Sequence, residues 1–341
     1  MNGLATIRDI GAGVTEFLVK LVDHCEMSCL MCGQSSQSDR RARLSLSDLE
    51  KAFATVRLHG KRIYIWGGEP LLYPALLAVV NFFKRKGALV AVNTNGQRLA
   101  KYLQSLAAIH LDRLILSLDA AEAATHDMIR GTAGSFELVL GHIRALKQFR
   151  SRRPKPLVRV NCVVLPENYR QLLDLVELCR QEEVYKVHLQ LPMYVTQASM
   201  HEYADLLKSE LSITVRNYSG FQREYSGIDF EHLHRIMQVV AGRYRSFARF
   251  YPHSSLSINQ LEAYFTGNTP IRPFTCDMSS TKLAVDSSGD FVTCPDFPDI
   301  SYGTLVDGVV RPERLHWLNS RLEAGLLLPT CARCCHLVPL I

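Results

Sequence analysis

The sequence has no long apolar run. Its most apolar stretch, residues 71–83, is interrupted by Pro74 and Asn81 and falls short of the roughly 20 residues that cross a bilayer, so no membrane partner is expected. No basic end leads into an apolar segment at the N-terminus, which excludes a recognisable secretory signal and points to the cytoplasm, a reducing compartment. No GxGxxG follows the first expected strand, so a dinucleotide site there has no support. There is no internal repeat, and apart from Phe149 no aromatic residue is interleaved with the densest basic stretch, residues 144–159. That stretch reads as the cationic end of a helix and a solvated loop, and no nucleic-acid partner is expected. Net charge is a mild +6, and 47% hydrophobic with 21% charged residues over 341 positions suits a folded chain with a sizeable core.

What is present is alternation. Residues 16–22, 62–66, 88–94, 113–119, 157–165 and 185–192 read as strands, separated by helices at 47–58, 74–86, 97–108, 135–149 and 168–182. Ser47 and Glu50 have capping-box spacing at the start of the first helix. Strand and helix in strict succession require a parallel sheet with helical crossovers, closed into a full or partial barrel or left open and doubly wound. Past Pro192 the alternation stops. Residues 197–265 are expected to be largely helical, with Phe230, Leu233, Met237 and Val240 on one apolar face and His232 and His234 solvated off it. Residues 281–286 and 290–294 flank a glycine turn as a hairpin, and Pro312 opens a helix to about residue 324.

The ten cysteines are unevenly spread: Cys25, Cys29 and Cys32 near the start, five within the last 66 residues, and only Cys162 and Cys179 between. In a reducing compartment such grouping points to metal rather than to disulfides. The two-residue period of a strand puts Arg159, Asn161 and Val163 on one face and Cys162 on the other, so Cys162 and the helical Cys179 read as packed core thiols. Three thiolates on one loop fit a cubane iron–sulfur cluster with one iron open to an exogenous ligand. A zinc site completed by His24 and unliganded surface thiols are the other readings.

CEMSCLMC (25–32), WGGEP (66–70), NTNG (93–96), LSLD (116–119), HDMIRG (126–131) and Asn161 follow one another at strand ends. With them, residues 16–195 resemble the radical S-adenosylmethionine (SAM) superfamily. The resemblance implies a [4Fe–4S] cluster on Cys25, Cys29 and Cys32 with SAM on its open iron. It implies Gly67, Gly68 and Glu69 at the SAM amino group, Asn95 at the next strand end, Ser117 and Arg130 at the carboxylate and ribose, and Asn161 near the ribose. Met31 stands where the family usually has an aromatic against the adenine, and a thioether can pack on a ring edge. Read without the resemblance, Gly67 and Gly68 also suit a bare tight turn, and Glu69 a charge at a helix N-terminus.

Near the C-terminus Cys276, Cys294, Cys331 and Cys334 supply four thiolates, enough to saturate an iron–sulfur cluster or a zinc ion. Gly289 five residues before Cys294, YGTL at 302–305, a helix with Trp317 and the closing CxxC are similar to the SPASM/twitch extension of radical SAM enzymes, in its shorter twitch form. The ligand order is similar to that of twitch-bearing carbinol dehydrogenases of aminoglycoside biosynthesis. The similarity implies a second, auxiliary [4Fe–4S] cluster. Cys335 is left over, as an alternative ligand, a packed thiol or a hydrogen-atom donor. The expected fold is thus α/β: a partial (β/α)6 TIM-like barrel over 1–195, a helical insertion over 196–271 and a small twitch-type iron–sulfur domain over 272–341. The activity implied is an oxidoreductase or isomerase that takes an electron from a flavodoxin or ferredoxin, cleaves SAM to a 5′-deoxyadenosyl radical and abstracts hydrogen from a small-molecule substrate. A sugar or natural-product precursor, dehydrogenated or epimerised, is expected, because the first cysteine stands at residue 25 with no peptide-recognition domain ahead of it. A maturase of ribosomal peptides and a non-catalytic zinc or iron–sulfur protein are the other readings.

Overall fold

The computed structural model describes residues 5–7, 11–36, 43–148, 156–267, 274–278, 280–306 and 309–339; Phe149 and the middle of the basic stretch lie outside the described residues. The strands, in chain order, are β1 (Ala5–Thr6), β2 (Glu16–Lys20), β3 (Arg62–Trp66), β4 (Leu89–Thr94), β5 (Arg113–Ser117), β6 (Leu157–Val163), β7 (Lys186–Gln190), β8 (Ala248–Tyr251), β9 (Phe274–Thr275), β10 (Lys282–Val285), β11 (Asp290–Val292), β12 (Ser301–Thr304), β13 (Val309–Val310) and β14 (Val338–Pro339). Twelve form one sheet in the order β1-β13-β12-β11-β10-β2-β3-β4-β5-β6-β7-β8, and β14 pairs with β9. From β10 to β8 every pairing is parallel. The result is a partial, TIM-like barrel wall that does not close.

The alternation in sequence becomes two faces. In β3, Ile63 and Ile65 are buried against the helices, while Tyr64 and Trp66 face the concave side. In β6 the same period buries Val158, Val160 and Cys162 and turns Arg159 and Asn161 to the concave face; Cys162 and Cys179 are both packed core thiols. The outer core rests on aromatic edges: Phe17, Phe53 and Phe83 pack edge-to-face at 5.2 and 5.4 Å.

Several local expectations are corrected. Residues 197–265 are not all helix: β8 is a seventh strand of the barrel wall, parallel to β7, between helices Phe230–Arg243 and Ile258–Thr266. Its four residues are too few for a visible period, although Ala248 and Phe250 are buried and Arg249 and Tyr251 are not. The first helix is capped by Ser45, which accepts from the Asp48 amide, and ends at Phe53, one turn short of the expected Leu58. Residues 97–108 form a short 3-10 turn and the helix Leu103–Ala108 rather than one helix. A helix at Ala123–Arg130 follows β5, where the sequence showed only a motif. His232 is half-buried, edge-on to Tyr169 at 5.9 Å, rather than fully solvated.

The C-terminal segment does not stand apart. β10 lies parallel on the open edge of β2, with Lys282 opposite Glu16. A second core joins helix Gln197–Leu211 to the C-terminal segment: Met200, Tyr203, Tyr218 and Phe221 pack with Phe297, Ile300 and Leu318. Within it the buried Asp299 accepts hydrogen bonds from Tyr203 Oη and the Arg216 amide at 3.1 and 3.0 Å. Among the described residues no helix is long and apolar enough to cross a membrane.

Candidate functional site

The first cysteine loop leaves the C-terminal end of β2 and is held by the ends of the next strands. Gly68 N and Glu69 N donate to Val22 O and His24 O at 2.8 and 2.9 Å. A Cβ on Gly68 would sit 2.1 Å from His24 O, and one on Gly67 (φ +153°) 2.4 Å from Val22 O, so only glycine allows this approach. Both amides are spent on the cysteine loop, which leaves carbonyl oxygens as what this turn can offer an ammonium group. Farther along, Leu30 N donates to Ile129 O at 2.8 Å, and Gly131, at φ +63°, closes on Ser28 O.

Glu69 is 1% exposed and accepts three hydrogen bonds: Leu71 N and Thr94 Oγ1 to one oxygen at 2.9 and 2.7 Å, Asn95 N to the other at 2.8 Å. It therefore caps its own short 3-10 turn and ties the end of β3 to the end of β4. Burial pushes its carboxyl up to about 7. This tie fixes Asn95, whose Nδ2 lies 3.7 Å from Cys25 Sγ.

On the other side of the loop, Arg130 Nε pairs with the fully buried Asp119 at 2.5 Å, and Nη1 lies 3.7 Å from Cys29 Sγ. Burial opposes the arginine's charge and Asp119 outweighs it, so the guanidinium stays ionised. Asp119 is fixed in turn by the Val163 amide at 2.8 Å. Burial pushes the Cys25 thiol up to about 12 and raises Cys29, with Arg130 pulling Cys29 back. Such thiols ionise only when a cation takes the proton's place. Cys32 and Met31 are half-exposed on the same loop. Asn161 stands level with Ser117 and His188, and its Oδ1 is buried without a hydrogen-bond partner.

The donor set fits an iron–sulfur cluster with a small polar cofactor. Three thiols share a loop, N–H donors are aimed at two of the sulfurs, and an orphaned amide oxygen of Asn161 stands on the concave face.

The C-terminal cysteines gather apart from this loop. Pairing of Thr275 with Val338 brings Cys276 beside the closing CxxC, while Cys294 leaves β11 and Cys331 rides the 3-10 turn Pro329–Arg333. All four line a cavity of about 810 Å³ that extends over the concave face of the sheet to Leu18, Tyr64, Asn161 and His188. Burial raises each thiol, Cys331 to about 12, and neighbouring thiols add to it at Cys294, Cys331 and Cys334. Cys335 is buried, does not line the cavity and hydrogen-bonds His336. Among the described residues no three His, Cys, Asp or Glu side chains are arranged to hold a single metal ion. Of the residues expected around the first cluster, only Asn161 lines the cavity. A polar bridge connects the two regions: Lys20 Nζ donates to Gln34 Oε1 at 2.7 Å and Gln34 Nε2 to Asp296 at 3.2 Å.

Sequence reasoning missed the basic character of that concave face. Arg113, Lys186 and Arg249 stand on strands β5, β7 and β8 beside Arg159. The available signal was an arginine set inside otherwise apolar strand text, as in LVRVNCV.

Residues 19–179 match the model of the radical SAM superfamily. The chain is 30% identical over 173 residues to an AdoMet-dependent heme synthase of Methanosarcina barkeri, covering 50% of this chain and 48% of that one. It is 34% identical over 173 residues to the GTP 3',8-cyclase of Synechococcus elongatus, covering 49% and 51%. The chain thus spans about half the length of these curated relatives. Its fold is similar to that of Streptococcus suis SuiB bound to precursor peptide SuiA, with a TM-score of 0.58 at 17% identity over 83% of this chain and 60% of that one. Residues 19–179 thus carry a radical SAM domain.

Proposed function

We propose that the chain is a radical SAM enzyme of oxidoreductase or isomerase type with an auxiliary cluster, acting on a small molecule held in the cavity that runs from the C-terminal cysteines to Asn161. In this reading Cys25, Cys29 and Cys32 hold a [4Fe–4S] cluster, and Cys276, Cys294, Cys331 and Cys334 hold a second one in a twitch-type domain over 272–341. Bound there, the first cluster and SAM supply a one-electron cleavage that yields a radical able to take hydrogen from carbon, the electron coming from a flavodoxin or ferredoxin. The chain's own residues position and shield. Carbonyl oxygens of Gly67 and Gly68 receive the SAM ammonium. Glu69 holds the Asn95 turn, and Arg130, fixed by Asp119, orients Cys29 and faces the carboxylate. Ser117 and the orphaned Asn161 Oδ1 take the ribose, and Met31 lies against the adenine.

The observation that carries this is the match over residues 19–179 together with side-chain donors from the end of β4 and the end of helix Ala123–Arg130 converging on Cys25 and Cys29. The test is 5′-deoxyadenosine formation by anaerobically reconstituted protein with dithionite. Cys25→Ala, Cys29→Ala or Cys32→Ala should abolish it. Cleavage that survives these changes, or iron and sulfide analysis showing no cluster, overturns the reading in favour of a non-catalytic metal protein. A second reading, a peptide substrate, is favoured by the fold likeness to SuiB, whose crystal structure holds a precursor peptide. Deuterium transfer from labelled substrate into 5′-deoxyadenosine, run with peptide and small-molecule candidates, decides between them.

A further inference from the structure

The cavity is strongly cationic on the side built by the barrel strands. Seven lysine and arginine side chains line it against three carboxylates. Two of those carboxylates are already engaged, Glu16 with Arg62 at 3.4 Å and Asp277 with Lys282 at 2.8 Å. The third, Asp296, accepts from Gln34. Lys186 Nζ is satisfied by Ser246 O. Arg113, Arg159 and Arg249 meet no carboxylate among the described residues, and Nε of both Arg113 and Arg159 is buried without a hydrogen-bond partner.

Register puts the three on one surface. Arg113 lies level with Leu157, two residues before Arg159 on the same face of β6; Arg159 lies level with Lys186; and Arg249 lies level with His188, two residues on. Their mutual influence is visible in their surroundings. Burial lowers Arg159 to about 10, opposed by Tyr64 and Glu16 and reinforced by Arg113 and Arg249, and burial together with the same three arginines pushes His188 down to about 2, so its imidazole is neutral. Unpaired guanidinium groups gathered on a half-buried wall repel one another and leave donors unspent. Both costs vanish when an oxyanion accepts from them, and a guanidinium fork matches a carboxylate or phosphate in two-point geometry.

From this geometry we infer that Arg113, Arg159 and Arg249 form the receiving site for an oxyanion, a carboxylate or phosphate, carried by the substrate. The inference rests on the reading of this cavity as the substrate site. It narrows the substrate class to acids and phosphate esters whose charged end sits among the arginines and whose reacting carbon points toward Asn161.

Calorimetric titration of the reconstituted full-length protein tests this, without SAM or reductant, using inorganic pyrophosphate and malonate as probes. The expected result is about one probe ion bound per chain, weakened about tenfold or more by Arg159→Gln and by Arg249→Gln. Arg159→Lys should recover part of the loss, and Arg180→Gln, which removes a surface arginine paired with Glu177 at 2.6 Å, should change nothing. Tighter pyrophosphate assigns a phosphate ester, and tighter malonate a carboxylic acid. Because Arg249 is exposed at the cavity mouth, its variant tests the site even where Arg159→Gln fails to fold. Binding that is absent, or equal in all variants, overturns the inference. So does binding that appears only in Cys276→Ala protein, for then the arginines balance the charge of the auxiliary cluster. Protein that binds the probe through these arginines but never cleaves SAM keeps the anion site and removes the radical reading, so the two failures are distinguishable.

Discussion

The two cysteine regions solve the same problem by different means. In the first, the three thiols lie on one short loop, and that loop is fastened to the end of β3 by Gly68 N and Glu69 N on one side and to helix Ala123–Arg130 by Leu30 N on the other. Its sulfurs meet the Asn95 amide and the Arg130 guanidinium. In the second, thiols from Cys276 to Cys334 arrive after β9, after β11 and on a 3-10 turn, and neighbouring thiols raise Cys294, Cys331 and Cys334 further. One site is built into the barrel and its ligands are oriented before metal arrives. The other is assembled from distant pieces of chain, and bound metal would itself be one of its fasteners. Preorganisation therefore belongs to the end that would run the radical chemistry, and dependence on metal to the end that would pass electrons.

The sharpest way to break this contrast is to remove one thiol from each region. Cys25→Ala and Cys276→Ala should each halve the iron, from about eight to about four per chain. Only Cys25→Ala should also abolish 5′-deoxyadenosine formation. Loss of SAM cleavage in both would mean that the C-terminal site supports the first one structurally. Iron unchanged in Cys276→Ala would mean that the second site holds no cluster.

How legible each region was follows from the same difference. The first was readable because its ligands fall within a few residues and its partners sit at the ends of strands whose period shows in text such as RIYIW and LVRVNCV. The buried supports were less visible. Asp119 and Glu69 are carboxylates in positions that only the tertiary fold makes interior, and which groups surround them is a matter of strand order. The second region was readable chiefly through resemblance, since no local pattern announces that Thr275 pairs with Val338. β8 escaped because four residues cannot display a period among helices, and the three unpaired arginines because each stands alone in its own strand.

Asp119→Asn sharpens the comparison from the first region. It keeps the shape but leaves Arg130 charged and buried without its partner, which costs about 3–5 kcal/mol in urea unfolding. Cluster assembly on Cys25, Cys29 and Cys32 should suffer while assembly at the C-terminal site does not. Glu69 gives a smaller, pH-dependent effect. Its folded value of about 7 lies above its ordinary 4.5, so the folded chain binds this proton more tightly than the unfolded one does. The stability it contributes is full below pH 4.5 and is lost as pH rises through 7, a change of about 3 kcal/mol. Metal-free protein should show that decline in unfolding free energy, and Glu69→Gln should flatten it. An unchanged slope would place the titrating group elsewhere.

The smallest expected effect concerns the bridge between the regions. Gln34 accepts from Lys20 at 2.7 Å and donates to Asp296, two residues past Cys294, at 3.2 Å. Lys20 keeps Asp23 at 2.6 Å when Gln34 is removed, so Gln34→Ala should cost only about 1 kcal/mol. If the first region is organised by its own strand ends, both sites of Gln34→Ala protein should still fill with iron, and SAM cleavage should hold. A double-mutant cycle with Asp296→Asn measures the link that this hydrogen bond makes. A coupling of a few tenths of a kcal/mol would leave the regions independent in folding. A coupling well above 1 kcal/mol, with iron lost from the first site, would mean that the barrel end also leans on the C-terminal segment.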